Sequence, residues 1–349
     1  MPEKINEVLA IDVGGSKYIV GVVDINGHVI FSKRETWNSL DSDGIIKQII
    51  YSSKAALERF PHVKKAGMTI PGIADPARGI WVSSPLGKIH DLQIVGIMKR
   101  ELGIDVYIEN DANACALAEK AYGTCQKCKD FLYMTVSTGI GGALFIDGEL
   151  YTGSKKCAGE IGLTVVKENS DRKNECGECG TLELYAASEG MIQNYIEAGG
   201  DEFKSDKGRV TCKDIAELAR KGNISAEKAM DAEGKYLAIA IGNANNILDM
   251  ERVVIGGGLS LAFDCYKKSL YDTLIIYNHQ SNPDFSVVPT VLGYEGALIG
   301  AATAAFVSFE HGDFQAGLFS FSLQAYGAWC VYSRAGTCLA LLFHRTAVI

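Results

Sequence analysis

The sequence predicts a duplicated α/β fold, and three observations predict it. A strand, a glycine-rich loop, a second strand and a hairpin turn occur twice, once from Glu7 to Gly27 and again from Phe131 to Gly148. After each copy, strand-length apolar runs alternate with longer runs of helical spacing. The chain has 349 residues, 47% of them hydrophobic, which suits two packed domains better than one.

Taken in order, Glu7–Asp12 is an apolar run ending in an acid. Gly14 and Gly15 interrupt it, Tyr18–Val23 resumes as strand, Asn26-Gly27 turns, and His28–Thr36 runs back. An Asn-Gly pair between apolar runs is a strong hairpin signal, because both central positions of the favoured turn need positive φ. The second copy reads Phe131–Val136, punctuation from Gly139 to Gly142, Ala143–Ile146, then a turn at Asp147-Gly148. Gly44–Phe60 has helical spacing and Ala66–Ile70 reads as a buried strand. Ile94–Leu102 reads as helix, Val106–Glu109 as strand, and Ala112–Tyr122 as helix with Gly123 as its terminating glycine. Further on, Ser188–Ala198, Cys212–Lys221 and Ala226–Leu248 read as helices, Arg252–Ile255 as strand, and Gly296–Val307 as a small-residue helix. Strands alternating with helices predict a largely parallel sheet with helices against it.

Net charge is −8 with both signs spread along the chain, so no basic footprint for nucleic acid is expected. No apolar run is long enough to span a bilayer. Strand sequence begins at Val8 with no signal region ahead of it, and the ten cysteines are not spaced like a small secreted scaffold. Reduced thiols in a cytoplasm are the expectation.

Glycine loops carry the first chemical signal. In Asp12-Val-Gly-Gly-Ser-Lys17, Gly14 and Gly15 let backbone N–H groups approach phosphate, Ser16 and Lys17 add donors, and Asp12 ends a strand where it would hold Mg²⁺ directly or through water. A tight hairpin with a solvated lysine has the same spelling. Ser137-Thr-Gly-Ile-Gly-Gly142 repeats the device, with Thr138 as hydroxyl and Gly139, Gly141 and Gly142 as exposed amides. Two loops from two halves would grip one triphosphate, which makes the pair more specific than either alone. Gly256, Gly257 and Gly258 form a third cluster, after a strand and before a helix near Ser260. There the backbone would lie flat against an adenosine, or simply turn.

Carboxylates carry the second signal. Asp111, in Glu109-Asn-Asp-Ala-Asn113, is the candidate general base, since phosphoryl transfer to an alcohol needs a carboxylate near the attacking hydroxyl. The same position is that of an N-cap for a helix starting at Ala112. A helix N-terminus also keeps such an aspartate ionised. Glu160 and Glu183 each stand beside glycine-rich backbone and suit bidentate acceptance from sugar hydroxyls; surface acids or helix-start charges would look alike.

These pieces resemble the ROK family of sugar kinases (repressor, open reading frame, kinase), within the actin, Hsp70 and hexokinase superfamily. The matching segments are Asp12–Lys17, Ile70-Pro-Gly72, Glu109–Asn113, Ser137–Gly142, Ala158–Gly162, Leu182-Glu183 and Ile255–Gly258, in the family's order over residues 7 to 307. The resemblance implies two RNase H-like domains with a cleft between them, at residues 1–117 with 297–308 and at 118–296. It implies transfer of the ATP γ-phosphoryl to a hexose hydroxyl, usually the 6-hydroxyl, with Mg²⁺. Asp111 would be the base. Asn110, Asp111, Glu160 and Glu183 would hold the sugar, with Gly72 at the pocket edge. The two glycine loops would hold phosphates and Gly256–Gly258 the adenosine. A homodimer is a further expectation from the family alone.

Departures bear on metal and sugar. At the family's four zinc ligands this chain has Leu163, Asn174, Cys176 and Thr181, so only Cys176 is retained and no structural zinc is expected. The family histidine also touches sugar, so Leu163 removes a hydroxyl contact. Glucose is the default substrate, with N-acetylmannosamine, N-acetylglucosamine, fructose and allose open. Cys125-x-x-Cys128 and Cys176-x-x-Cys179 also spell two zinc knuckles, with Cys157 as an alternative third ligand. Their wide separation favours free thiols.

Residues 309–349 form an atypical tail, rich in Phe, Leu, Cys and Gly and without either period. It reads as an added packed element or as sequence outside the fold; the second reading is preferred, and truncation after Phe309 is expected to preserve folding. Rival functions are a sugar-responsive repressor, for which strand sequence at Val8 leaves no DNA-binding module ahead of the fold, and a non-catalytic relative or actin-like ATPase. Asp111 with both loops argues against a non-catalytic protein. The Asn110, Asp111, Glu160 and Glu183 cluster argues against a plain ATPase.

Overall fold

The computed structural model describes residues 6–174, 177–204, 208–279 and 284–310. Cys176, and the tail from residue 311 onward, lie outside the described residues. Residues Met1–Val307 form one compact unit, and all that follows concerns it.

Its first half begins with β1 (Glu7–Val13), β2 (Lys17–Asp24) and β3 (Val29–Thr36), then α1 (Ser42–Arg59) and β4 (Lys65–Ile70). Three short strands follow, β5 (Ile73–Asp75), β6 (Ile80–Ser84) and β7 (Ile89–Leu92), then α2 (Ile94–Leu102), β8 (Asp105–Asn110) and α3 (Asp111–Ala121). The second half has β9 (Phe131–Val136), β10 (Ile140–Ile146) and β11 (Glu149–Tyr151), then α4 (Leu182–Ala186), α5 (Ser188–Glu197), β12 (Phe203–Lys204), β13 (Gly208–Arg209), α6 (Cys212–Arg220) and α7 (Ile224–Leu248). It closes with β14 (Arg252–Gly256), α8 (Phe263–Tyr277), β15 (Ser286–Pro289) and α9 (Gly296–Glu310).

Among the described residues, two five-stranded sheets share one strand order, β3-β2-β1-β4-β8 and β11-β10-β9-β14-β15. In each, a hairpin meander supplies three antiparallel strands, and two further strands add in parallel. This is the duplication expected from the repeated hairpins. The buried strand β4 (Lys65–Ile70) sits mid-sheet with every residue buried, which is what a parallel strand covered on both faces requires.

Helices cover these sheets by apolar stripes. On α1 the inward residues Ile45, Ile46, Ile49, Ser53 and Ala56 follow the helical period. The α9 helix is almost uniformly small and apolar; Leu298, Ala301, Ala302, Ala305 and Phe306 pack on Val8, Ala10 and Val23 of the first sheet. Small residues are needed there, since a Cβ on Gly67 would stand 1.7 Å from the Ala301 carbonyl oxygen.

Three local expectations are corrected. Asn110, not Asp111, caps α3, its Oδ1 accepting from Ala112 and Asn113 N–H at 3.0 and 3.1 Å. The helix ends at Tyr122, and Gly123 has no positive φ, so it is not a left-handed terminator. Gly141 and Gly142 belong to β10 rather than to the loop, paired with Thr135 and Met134.

Candidate active site

The carboxyl ends of β1, β4 and β8 lie side by side, and their register aligns Asp12 with Thr69 and Thr69 with Glu109. Loops at such ends are where open α/β sheets bind ligands. Thr69 Oγ1 donates to Asp12 Oδ1 at 2.8 Å and accepts from Val13 N–H at 3.3 Å. Burial pushes the Asp12 carboxyl above the usual range, opposed by that hydroxyl and by the Lys17 charge.

Beyond Asp12 the β1–β2 loop folds tightly, with Gly14 N–H donating to Lys17 O at 2.9 Å. Gly15 and Ser16 are exposed, and no atom lies within 4 Å of where a Gly15 Cβ would stand. The Trp37 indole N–H donates to Gly14 O at 3.0 Å.

Asp111 is the first residue of α3. Its Oδ1 accepts from Ala112 N–H at 2.8 Å. Burial, and then the neighbouring Asp12 charge, raise its carboxyl to about 6, the Ala112 N–H pulling the other way. Desolvation thus outweighs the helix terminus in setting the acidity of this group. At pH 7 the carboxylate still outnumbers the acid by about ten to one. Asn110 Nδ2 donates to Gly72 O at 2.9 Å, which ties the Pro71–Ile73 turn to the start of α3. Gly72 sits at φ 88°, and a Cβ there would stand 2.3 Å from Ser83 O. Glu109 Oε1 accepts from Asn110 N–H and from Asn113 Nδ2 at 2.9 and 3.0 Å.

The second half meets this cluster. A Cβ on Gly141 would be 3.6 Å from Ala112 Cβ, so β10 abuts the start of α3. Glu183 Oε2 accepts from Ile140 N–H at 2.8 Å and lies beside Gly139, so this carboxylate is fastened to the second glycine loop. Ser188, opening α5, donates N–H and Oγ–H to Ser137 O at 2.9 and 2.7 Å, which fixes the same loop from below. Glu160 is exposed, and burial of its carboxyl followed by the Glu183 charge pushes it up. Burial pushes the Glu109 carboxyl up, opposed by its hydrogen bonds from Asn113 and Asn110 and by the charge of Lys156, in the segment that carries Glu160.

Close glycine contacts set this segment. Gly159 has φ 93°, and a Cβ on Gly142 would stand 2.6 Å from Gly159 O, so only glycines let Ala158–Gly162 cross β10. In the third cluster, a Cβ on Gly256 would stand 1.9 Å from the Tyr133 hydroxyl. Gly257 has φ 77°, and Gly258 lies near Ser137 Oγ, within reach of the second loop.

Thus Asp12, Gly14, Gly15, Ser16, Lys17, Gly72, Asn110 and Asp111 gather at one sheet end. Thr138, Gly139, Glu160, Glu183 and Gly258 gather at the adjoining loops. Gly141, Gly142 and Gly256 lie within strands, where their missing side chains serve packing. A cavity of about 390 Å³ opens beside Thr138, Glu183 and Lys173. Thr69, Trp37, Ser188 and Lys156 escaped the sequence reading. A threonine in the otherwise apolar run Ala66–Ile70 was the one visible signal.

Three of the four positions compared with zinc ligands are described, and none of them is His or Cys. Leu163 is 45% exposed, Thr181 is buried, and Asn174 Nδ2 donates to Glu178 Oε2 at 2.6 Å. Cys125 and Cys128 are buried free thiols, while Cys157 and Cys179 are exposed ones. Among the described residues, no three His, Cys, Asp or Glu side chains are grouped to hold a metal, and no helix is long and apolar enough to cross a membrane.

Known proteins share this architecture. A glucokinase from Thermotoga maritima is 28% identical over 85% of this chain and 96% of its own. A xylose repressor from Caldicellulosiruptor bescii is 25% identical over 77% of this chain and 70% of its own. The solved structure of a ROK family glucokinase from Streptomyces griseus, in complex with glucose and AMPPNP, superposes with a TM-score of 0.74 at 25% identity, over 86% of this chain and 99% of that one. The fold is therefore the mixed α/β architecture of ROK hexokinases, and the chain is a ROK sugar kinase or regulator. Residues 8–306 match the family itself, and the chain belongs to the ROK family.

Proposed function

We propose that this protein is an ATP-dependent hexose kinase that phosphorylates glucose, or a close relative of glucose, at the 6-hydroxyl. One observation carries the reading. Asp111 stands at the start of α3 beside Asp12 with its carboxyl raised to about 6, while the capping task belongs to Asn110. A structural acid has no need of that arrangement; a general base working near neutral pH does.

The residues fit a magnesium nucleotide. Asp12 commits Oδ1 to Thr69, and its Oδ2 meets no protein partner among the described residues. Gly15 and Ser16 are exposed, and a Cβ on Gly15 would meet no atom within 4 Å. Bound Mg²⁺ would neutralise charge on the phosphates. In this reading Asp12 holds the metal directly or through water, Lys17 and Thr138 donate to phosphate oxygens, and Gly256–Gly258 face the adenosine. Asn110, Glu160 and Glu183 orient the sugar. Asp111 accepts the 6-hydroxyl proton as that oxygen attacks the γ-phosphorus, and the bond from that phosphorus to the bridging oxygen breaks to release ADP. Residues 1–117 with 297–308, and 118–296, act as two domains that close on the sugar and exclude water. A cytoplasmic homodimer completes the proposal.

The test is ADP release across a panel of hexoses and N-acetylhexosamines with Mg²⁺, for the natural chain and for Asp111→Ala. Sugar-stimulated release that the variant loses supports the reading. The similarity to a xylose repressor favours a second reading, a sugar-responsive regulator. Sugar binding without any phosphoryl transfer would favour it and overturn the kinase.

A further inference from the structure

We infer that Trp37 is a positioning residue for the first glycine loop, setting the direction in which the Gly15 amide points. The inference rests on the proposed nucleotide role of that loop. Gly14 is the loop's pivot, and both its backbone groups are engaged. Its N–H donates to Lys17 O at 2.9 Å, and its carbonyl accepts from the Trp37 indole at 3.0 Å. The peptide that follows Gly14 carries the Gly15 N–H. Holding the Gly14 carbonyl inward therefore turns the Gly15 N–H outward, because the two groups of one peptide plane point in opposite directions.

The indole is itself held from two sides. It stacks on Tyr18 with ring centroids 4.4 Å apart and planes 27° from parallel. Tyr18 is 4% exposed, donates to Gln48 O at 3.2 Å and shares a hydrogen bond with Ser52 Oγ at 2.9 Å. The residues after Trp37 are pinned to the same helix face. Asn38 N–H donates to Gln48 Oε1 at 2.7 Å, and Gln48 Nε2 donates to Ser39 O at 3.0 Å. A line of contacts thus runs from α1 through Gln48 and Ser52 to Tyr18 and Trp37, and from Trp37 to Gly14. A glycine pair has no side chains to define its own direction, so the definition comes from this neighbour.

Trp37→Phe keeps a ring over Tyr18 and removes the N–H donor. The natural chain and the variant are compared by calorimetric titration with Mg·AMPPNP and, separately, with the sugar that supports turnover. Loss of one hydrogen bond is expected to weaken nucleotide affinity about two- to tenfold. Sugar affinity should stay within about twofold, and the KM for ATP should follow the nucleotide affinity while kcat changes less. Gln48→Ala, which leaves the indole but frees residues 38 and 39, should move nucleotide affinity the same way by less. Its result stands in if the Phe variant is poorly folded. Equal nucleotide affinity in both variants and the natural chain overturns the inference and leaves the kinase reading intact. A parallel loss of sugar affinity would mark Trp37 as merely structural. Absence of nucleotide binding by the folded natural chain would defeat both.

Discussion

Replacing Asp111 by Asn should make the protein more stable and nearly inactive, and both effects follow from one carboxyl. In the folded chain that carboxyl sits at about 6, against an ordinary 3.8, chiefly because burial disfavours its charge. Between those two pH values the folded state binds a proton that the unfolded chain has released. Folding stability therefore falls as pH rises through this window, and the penalty is complete above about 6. At about 1.36 kcal/mol per pH unit the penalty is at most roughly 3 kcal/mol. Asn is neutral and keeps the oxygen that accepts the Ala112 N–H, so it should recover about 1–3 kcal/mol at pH 7.5 and nothing below pH 4. Urea unfolding at a series of pH values reads this out. Turnover should drop by about 10²–10⁴, the usual contribution of a general base. In the natural chain, kcat should fall as pH drops below about 6, where the base becomes protonated. An Asn variant that is less stable at pH 7.5, or one that turns over at the natural rate, refutes the argument.

Other expectations are shorter. Glu183→Gln retains an oxygen for the Ile140 N–H but loses the charge toward the sugar, so the sugar KM should rise about 10- to 100-fold with the ATP KM little changed; Glu183→Ala should raise both because the loop comes loose. A Gln variant that binds sugar as well as the natural chain removes Glu183 from the sugar site. Glu233 on α7 is fully buried with no hydrogen-bond partner on either oxygen among the described residues, and burial drives its carboxyl well above the usual range. Glu233→Met should therefore raise the urea midpoint at pH 8, by about 1–3 kcal/mol in stability; a lower midpoint would show that the acid is satisfied in solution.

The sequence was legible where its signals are local. The Asn26-Gly27 turn, the two glycine loops and the strand–helix alternation announce two like sheets, because turn chemistry and period do not depend on distant partners. Short elements were lost. The strands β5 to β7 hold three to five residues each, among Pro71, Gly72, Pro76 and Gly79, too few for a period to register. Gly141, Gly142 and Gly256 look like loop glycines in one dimension. They sit in strands, where a Cβ on Gly142 would meet the Gly159 backbone, one on Gly256 the Tyr133 hydroxyl and one on Gly141 the Thr135 methyl, which is tertiary information. The raised Asp111 carboxyl was hidden for the same reason. The helix terminus is visible in the sequence, but the burial that outweighs it is not. Trp37 has no motif at all, since its role depends on α1 standing beside the loop.

The described residues of 164–181 are fastened by two isolated bridges and by one side chain. Thr181 pairs with Val165, and Cys179 with Lys173. The centre of the segment is held by Arg172. Its guanidinium lies 4.4 Å over the Tyr185 ring, donates to Leu184 O at 3.1 Å and to Asn194 Oδ1 at 2.9 Å, and pairs with Glu197 at 2.9 Å. These partners belong to α4 and α5, the helices that carry Glu183 and Ser188. One planar cation thus joins the loop to the elements that position the Glu183 carboxylate and the second glycine loop. Lysine cannot replace it, because an ammonium offers neither the fork nor the flat face. Arg172→Lys should cost roughly 2 kcal/mol in urea unfolding and raise the sugar KM more than the ATP KM. A chelator should leave the natural chain's midpoint unchanged. If the chelator lowers that midpoint while the lysine variant holds it, a metal, and not this arginine, keeps the segment in place.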